Sequence, residues 1–459
     1  MKPFYGLHDD VRPLVAILCG LQHVLAMFVG IVTPPLIIAG SLGLSLEVTG
    51  VLVSMALLTS GVTTFVQVRR FGPIGSGMLS VQGTSFTFVP LAIQAGAAGG
   101  LPLILGMTIA GSPLEMVLSR FIQKVRRLFP PVVTGSVVML IGISLIEVGM
   151  TDLAGGFGAE DFGSPRQLGL GAFVMLVIVV CNRAGPGWVR TVSIAIGLGA
   201  GYLAAVLLGR VDFSAVAGAS WVSLPRPLQF GLAFEPAYLL PWLIGYLVTS
   251  MESIGDLTAT SEVSREPVRG PVFIRRLQGG ILADSLGSLL AGLFNSMPNT
   301  TFSQNNGVIA LTGVAARRVG LVVAGMLALL GLFPKIAALI SVMPKPVLGG
   351  ATIVMFAVVA VAGFRIVAGD GLTPRKQFIL AVTLALGLGI TLVPEAMARI
   401  GEIGSDTALG RAIMPSVAVV LRSGLAVGAI VAAVLNVLLP DEESSQRGRD
   451  PGDADPREP

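Results

Sequence analysis

Charge is scarce in this chain. Only 12% of its 459 residues are Asp, Glu, Lys or Arg, about half of the roughly 25% that soluble domains carry. So apolar a chain is neither disordered nor a nucleic-acid binder, since both need a charged, solvated surface. Cysteine is nearly absent: Cys19 and Cys181 sit in separate apolar runs without metal-ligand spacing. That excludes a disulfide framework and leaves them as small buried residues. Histidine is limited to His8 and His23, with no paired-aspartate cluster and no nucleophile beside a base, so a membrane-embedded enzyme is not expected. Met1–Arg12 carries Asp9 and Asp10 and lacks the basic start and cleavage site of a signal peptide. The first apolar run is therefore expected to remain as a span.

What fills the chain instead is apolar. Hydrophobic residues make up 53%, glycine occupies 59 positions and the mean hydropathy is +0.84, the composition of a polytopic membrane protein. A helix crossing the hydrocarbon needs about 20 mainly apolar residues. Such runs lie near 14–40, 46–68, 78–96, 99–119, 130–150, 167–182, 191–209, 236–256, 277–294, 297–314, 319–343, 346–364, 377–396 and 423–439. The prediction is an all-α polytopic protein of about 14 transmembrane segments. Arg69 and Arg70, the Arg120–Arg127 cluster with Lys124 and Arg126, the Arg265–Arg276 cluster, Arg317 and Arg318, and Arg375 and Lys376 all fall on one side. The other side holds a thinner scatter, such as Arg210, Lys335, Lys345 and Arg399. The positive-inside bias then places both termini in the cytoplasm, with residues 1–13 as a short leader to the first span and 441–459 as a polar, disordered tail.

Two segments do not suit a lipid-facing helix. Gly77–Gly96 contains Ser80, Gln82, Gly83, Thr84 and Ser85 ahead of a mostly apolar run, and Asn295–Gly313 reads NSMPNTTFSQNNGVIALTG. Polar, Gly- or Pro-interrupted backbone is tolerated at membrane depth only where it lines a protein cavity. A broken span at corresponding places in two halves points to a transporter's binding site. Phe86 and Ser303 fall at comparable distances after the starts of the first and eighth spans, so each segment is third in a set of seven. A seven-plus-seven inverted repeat is expected, 14–215 and 228–440, with broken strand-helix segments as spans 3 and 10 at the membrane midplane.

Five short motifs fall in order along these spans. Gln22-His23 opens QHVLAMFVG in the first, GTSFTFVP (Gly83–Pro90) lies in the third, and MESIGD (Met251–Asp256) in the eighth. Asp284 sits in ILADSLG in the ninth, and Gln304-Asn305-Asn306-Gly307 is followed by Thr312-Gly313 in the tenth. Together, over nearly the whole chain, they resemble the nucleobase–ascorbate transporter family, and within it the xanthine and uric acid permeases. The resemblance implies a core domain of spans 1–4 and 8–11, a gate domain of spans 5–7 and 12–14, and a homodimer formed by the gates.

Chemistry favours the same residues. A nucleobase is a flat ring whose edges carry N–H donors and C=O acceptors, so its site needs a carboxylate to accept and an amide to do both. Glu252 and Gln304 supply that pair, and Phe86 and Phe302 are candidate ring covers. Backbone amides near Phe86 and Ser303 are implied by the resemblance to bind as well, with Gly30 and Gly307 permitting close approach. Asp256 and Asp284 either tether helices or relay the coupling proton. His23, with Gln22, is expected to hydrogen-bond to the binding half, while Asn305 and Thr312 hold the broken helix together.

The expected activity is uptake of a purine base, xanthine or uric acid, by symport across the inner (plasma) membrane. No cofactor is implied. H⁺ is the coupling ion and Na⁺ the alternative. Carriers resembling uracil permeases have Glu at the Gln304 position and His at the Asp256 position, and both departures here lean toward oxidised purines. Uracil is the second reading. An anion exchanger of the same architecture would place a cation beside the broken helices, where this chain has Glu252.

Overall fold

The computed structural model describes residues 5–122, 130–156, 158–369, 371–397 and 408–440. Lys124, Arg126, Arg127, Arg399 and the expected tail 441–459 lie outside them.

Long apolar runs make long helices, and polar or Pro/Gly-rich stretches interrupt them. Helices α1 (Pro13–Ser41) and α2 (Leu46–Arg69) lead into strand β1 (Gln82–Thr84), a turn of 3-10 helix at Phe86–Phe88, and α3 (Val89–Gly111). Gly99 and Gly100, the latter at φ 67°, kink α3 at the boundary between the expected third and fourth spans. Next come α4 (Pro113–Arg120), α5 (Pro131–Leu153), α6 (Pro165–Ala184) and α7 (Ser193–Leu207). The second half repeats the sequence of events. Helices α8 (Pro236–Val263) and α9 (Gly270–Leu293) precede strand β2 (Asn299–Thr301) and α10 (Gln304–Thr312). After them come α11 (Arg317–Gly331), α12 (Pro334–Ser341), α13 (Lys345–Gly369) and α14 (Pro374–Leu392), then α15 (Ala408–Leu421) and α16 (Gly424–Leu438).

Among the described residues seven helices are long and apolar enough to cross a membrane, or nine if two bent pairs count as single spans. The pair α11–α12 bends by 76°, and the end of α15 meets α16 at 94°. Pro334 starts the second member of the first pair. In the second, Ser423 caps α16 through the Ala426 N–H. No element was expected over 408–421, because that run holds Arg411 and Pro415 and is too short to register as a span. Large side chains such as Leu176, Leu203, Leu207 and Leu438 stand exposed, a surface that only lipid or a partner can cover.

Two kinds of packing hold the helices. In one bundle α5 lies against α13 along Gly135, Gly142 and Gly149, which recur every seventh residue. A Cβ at Gly135 would come within 2.7 Å of the Gly363 carbonyl, one at Gly142 within 2.7 Å of the Phe356 carbonyl, and one at Gly149 within 2.8 Å of Ile353. Small residues at heptad spacing let the two backbones touch over their length, the usual device where helices cannot gain from expelling water. The other bundle, α1, α2, α8 and α9 around the strands, is joined by hydroxyl and amide hydrogen bonds. Helix α2 turns Ser54, Thr59, Ser60, Thr63, Thr64 and Gln67 inward.

Candidate functional site

The two polar segments meet. Strands β1 and β2 pair antiparallel, with Gln82 opposite Thr301, Gly83 opposite Thr300 and Thr84 opposite Asn299. Three residues each are too few to hold themselves, so the surrounding helices satisfy them. Thr64 Oγ1 accepts from the Gln82 N–H at 2.9 Å, Thr84 donates to the Ile31 carbonyl at 2.6 Å, and the Asn299 amide donates to Thr63 at 3.0 Å. Asn305 reaches back to the Leu79 carbonyl at 2.6 Å, fastening the start of α10 to the chain entering β1. Thr312 accepts from the Val314 N–H at 3.2 Å and donates to the Val308 carbonyl, closing α10 where Gly313 turns left-handed at φ 72°.

Helix α8 lies across this crossing and presents its carboxylates to it. Thr87, in the turn after β1, donates to Glu252 Oε1 at 3.1 Å. One helical turn on, Thr301 of β2 donates to Asp256 Oδ2 at 2.9 Å. Asn306 joins the same turn, accepting from Thr260 at 2.7 Å and donating to the Asp256 carbonyl. Between the two acids Ser253 donates to Asp284 of α9. Each of these carboxylates is thus held by a hydroxyl. Among the described residues no Arg or Lys forms a salt bridge with them. Glu252 also opens onto a cavity of about 180 Å³ between α8, α5 and α16, whose other lining is apolar apart from Thr134. That volume is below the ~300–1,000 Å³ of drug-sized pockets, and Gln304, Phe86, Phe302, Ser303 and Gly30 do not line it.

The remaining expected residues divide. Gln304 stands half-buried at the head of α10, and Ser303 before it and Gly307 after it are exposed. Nothing lies within 4 Å of a Cβ added at Gly307. Phe86 is half-buried and meets Phe356 of α13 edge-on at 5.6 Å, spanning the two bundles. Phe302, expected as a second ring cover, is 5% exposed. Its ring fills the space left by two glycines: a Cβ at Gly30 would lie 2.8 Å from it and one at Gly83 2.6 Å. Alternation along an extended segment sends Phe302 inward under the strands, so Gly30 accommodates that ring. His23 is fully buried and faces the Asn305 side chain without a well-formed hydrogen bond to it, and the neighbouring Gln22 amide nitrogen likewise has no partner among the described residues.

Some participants were not anticipated. Thr87, Ser253 and Thr301 lie inside the motifs and polar segments already named, but common hydroxyl residues point to no role by themselves, and theirs shows only once the strands meet α8 and α9. Glu115, near the end of the apolar run 99–119, is fully buried in α4, taking a hydrogen bond of 2.7 Å from Thr249 and one of 3.3 Å from Ser250. The seven residues Pro113–Ser119 contain only this one charge, so spacing alone gave no hint.

Two strand-led half-helices meeting beside a hydroxyl-bonded carboxylate cluster, within a membrane-spanning helical protein, define a transporter rather than an enzyme. The chain belongs to the permease family of nucleobase–ascorbate transporters: a Permease family model (Xan_ur_permease) matches residues 14–396. It is 42% identical over 452 residues to the xanthine permease XanP of Escherichia coli, covering 96% of this chain and 95% of that protein. With the xanthine permease XanQ of the same organism it shares 40% over 445 residues, 94% and 93% of the two chains. In fold it is similar to the transmembrane domain of a cyanobacterial bicarbonate transporter, BicA, with a TM-score of 0.54 at 14% identity, covering 94% of this chain and 99% of that one.

Proposed function

We propose that the protein is a proton-coupled symporter that takes up an oxidised purine, xanthine first and uric acid second, across the cytoplasmic membrane. The observation that carries this is the Glu252 carboxylate, fixed by Thr87, lining a small cavity and one turn from the Asp256–Thr301 contact. A carboxylate accepts the ring N–H groups of xanthine, and the Gln304 amide offers both a donor and an acceptor to its carbonyl edge. Likeness to XanP and XanQ supports xanthine as the substrate.

In this reading the chain crosses the membrane fourteen times as two inverted sets of seven, with both termini inside. Spans 1–4 and 8–11 form a core that carries the strands, spans 5–7 and 12–14 form a gate, and gates of two copies pair. Transport is a displacement of core against gate, with α5 and α16 as the walls that Glu252 passes. Protons move with substrate through Asp256, which Thr301 holds to β2, or Asp284, which Ser253 holds to α8. Uracil transport is the second reading, and the Gln304 amide in place of a carboxylate argues against it.

Uptake of labelled xanthine, urate and uracil into cells carrying the protein, with and without an uncoupler, tests the proposal. Saturable xanthine uptake that collapses with the proton gradient is the expected result. Uptake of uracil alone would refute the purine reading, and uptake indifferent to the gradient would refute the coupling. Gln304→Glu is expected to lose purine uptake and gain uracil.

A further inference from the structure

Glu115 is the buried acid that the transport reading leaves without a task. It projects from the eight-residue helix α4 into the seam between α8 and α9. Ser285 of α9 donates to the Ser112 carbonyl at 2.8 Å, which clamps the start of α4 beside Asp284. The titratable groups near enough to act electrostatically on Glu115 are Asp284 from α9, and Glu252 and Tyr246 from α8. Helix α3 contributes none, since Val89–Gly111 contains no ionisable side chain. One oxygen of Glu115, Oε2, and one of Asp284, Oδ1, are buried without a hydrogen-bond partner among the described residues.

The other oxygen of each acid rests on a hydroxyl of α8, and the two contacts flank Glu252. Thr249 Oγ1 lies 2.7 Å from Glu115 Oε1, 3.1 Å from the Tyr246 carbonyl and 3.3 Å from the Gly245 carbonyl. A hydroxyl has one proton to donate. With Glu115 ionised, that proton points at the carboxylate. With Glu115 protonated, the carboxyl becomes the donor and the Thr249 proton returns to the backbone. Ser250, 3.3 Å from the same oxygen and 2.8 Å from the Tyr246 carbonyl, keeps the shorter backbone bond when the single carboxyl proton goes to Thr249. The turn of α8 immediately ahead of Glu252 is therefore tied differently in the two charge states of Glu115.

We propose that Glu115 is a positioning residue for transport, whose charge state, through Thr249 and Ser250, follows the coupling proton and sets the α8 turn bearing Glu252. The inference rests on the proton-symport reading and adds a residue to it. Its test is the pH dependence of xanthine KM in Glu115→Gln, whose amide keeps the shape and the hydrogen bonds but cannot titrate. In the wild type KM is expected to rise by up to about tenfold per pH unit, the limit for one linked proton, and in Glu115→Gln by less than about twofold. Membrane content is measured in parallel. If Glu115→Gln does not reach the membrane, Thr249→Ala, which keeps the acid and removes its hydroxyl, is expected to flatten the same profile.

A wild type that takes up no purine overturns the transport reading and this inference with it. Purine uptake with a KM that is flat in pH overturns the inference. So does a Glu115→Gln profile, or in its absence a Thr249→Ala profile, that superimposes on the wild type.

Discussion

The glycine seam and the strand crossing solve one problem with opposite chemistry. Along α5 and α13 two helices approach until backbone meets backbone, with Gly135, Gly142 and Gly149 offering no side chain to separate them. At the crossing of β1 and β2 the chain leaves helical geometry altogether; its backbone groups are met by Thr64, Ser288 and Asn305, and the Asn299 side chain by Thr63. The seam is closed by backbone lying against backbone and offers few polar groups. The crossing is polar by necessity, and among the described residues each of its three carboxylates takes a hydrogen bond from a neutral hydroxyl. Such contacts can rearrange when a proton or a base arrives without leaving a buried cation stranded.

Four substitutions would break or sharpen that contrast. The largest effect is expected from Gly142→Leu. Its side chain would run into the Phe356 carbonyl, an obstacle of backbone, so the cost should exceed the ~1–3 kcal/mol usual for overpacking. Loss of monodisperse protein from detergent extracts is the expected outcome, and a normal elution profile would deny that backbone closes the seam.

Glu252→Gln should leave folding intact and lower xanthine uptake by about 100-fold, near 2.7 kcal/mol of binding and transition-state interaction. Unchanged uptake at wild-type membrane content would remove Glu252 from the site. Asn305→Ala leaves the Leu79 carbonyl without its donor, a loss of about 1–3 kcal/mol. That variant should melt several degrees lower, and binding of xanthine should restore part of the difference.

The smallest effect is expected at the rim of the seam. Lys345 Nζ lies 3.5 Å from Asp152 Oδ1; the lysine side chain is 35% exposed and can turn to solvent, whereas that of Asp152 is 9% exposed. Asp152→Asn, which leaves no buried charge behind, should cost no more than about 1 kcal/mol. A melting shift larger than that of Asn305→Ala would show that the seam too depends on polar contacts.

Much of this was legible in the chain. The broken segments were marked by glycine, proline and amides within apolar surroundings, and both contain the strands. Glu252, Asp256 and Asp284 stood out because a carboxylate within an apolar run has few reasons to be there. Other features were hidden. Glu115 resembled an ordinary charge at a span end, since Arg120 and Phe121 follow it closely. Hydropathy describes only the segment itself and says nothing of the Thr249 and Ser250 hydroxyls brought over it from a helix far along the chain. Phe302 and Phe86 read alike as aromatic neighbours of polar residues, yet one is buried under the strands and the other meets Phe356.

The sequence by itself determined the class of protein and the order of its helices. It also determined where they must break, because a backbone without water has to satisfy its own hydrogen bonds and local composition records where it cannot do so as a helix. Only the tertiary structure decided which hydroxyl holds which acid, which phenylalanine is core, and that the acid on α4 joins the three on α8 and α9. Those are contacts between residues distant in the chain. Their energies depend on distance and orientation, which no reading of neighbouring letters contains.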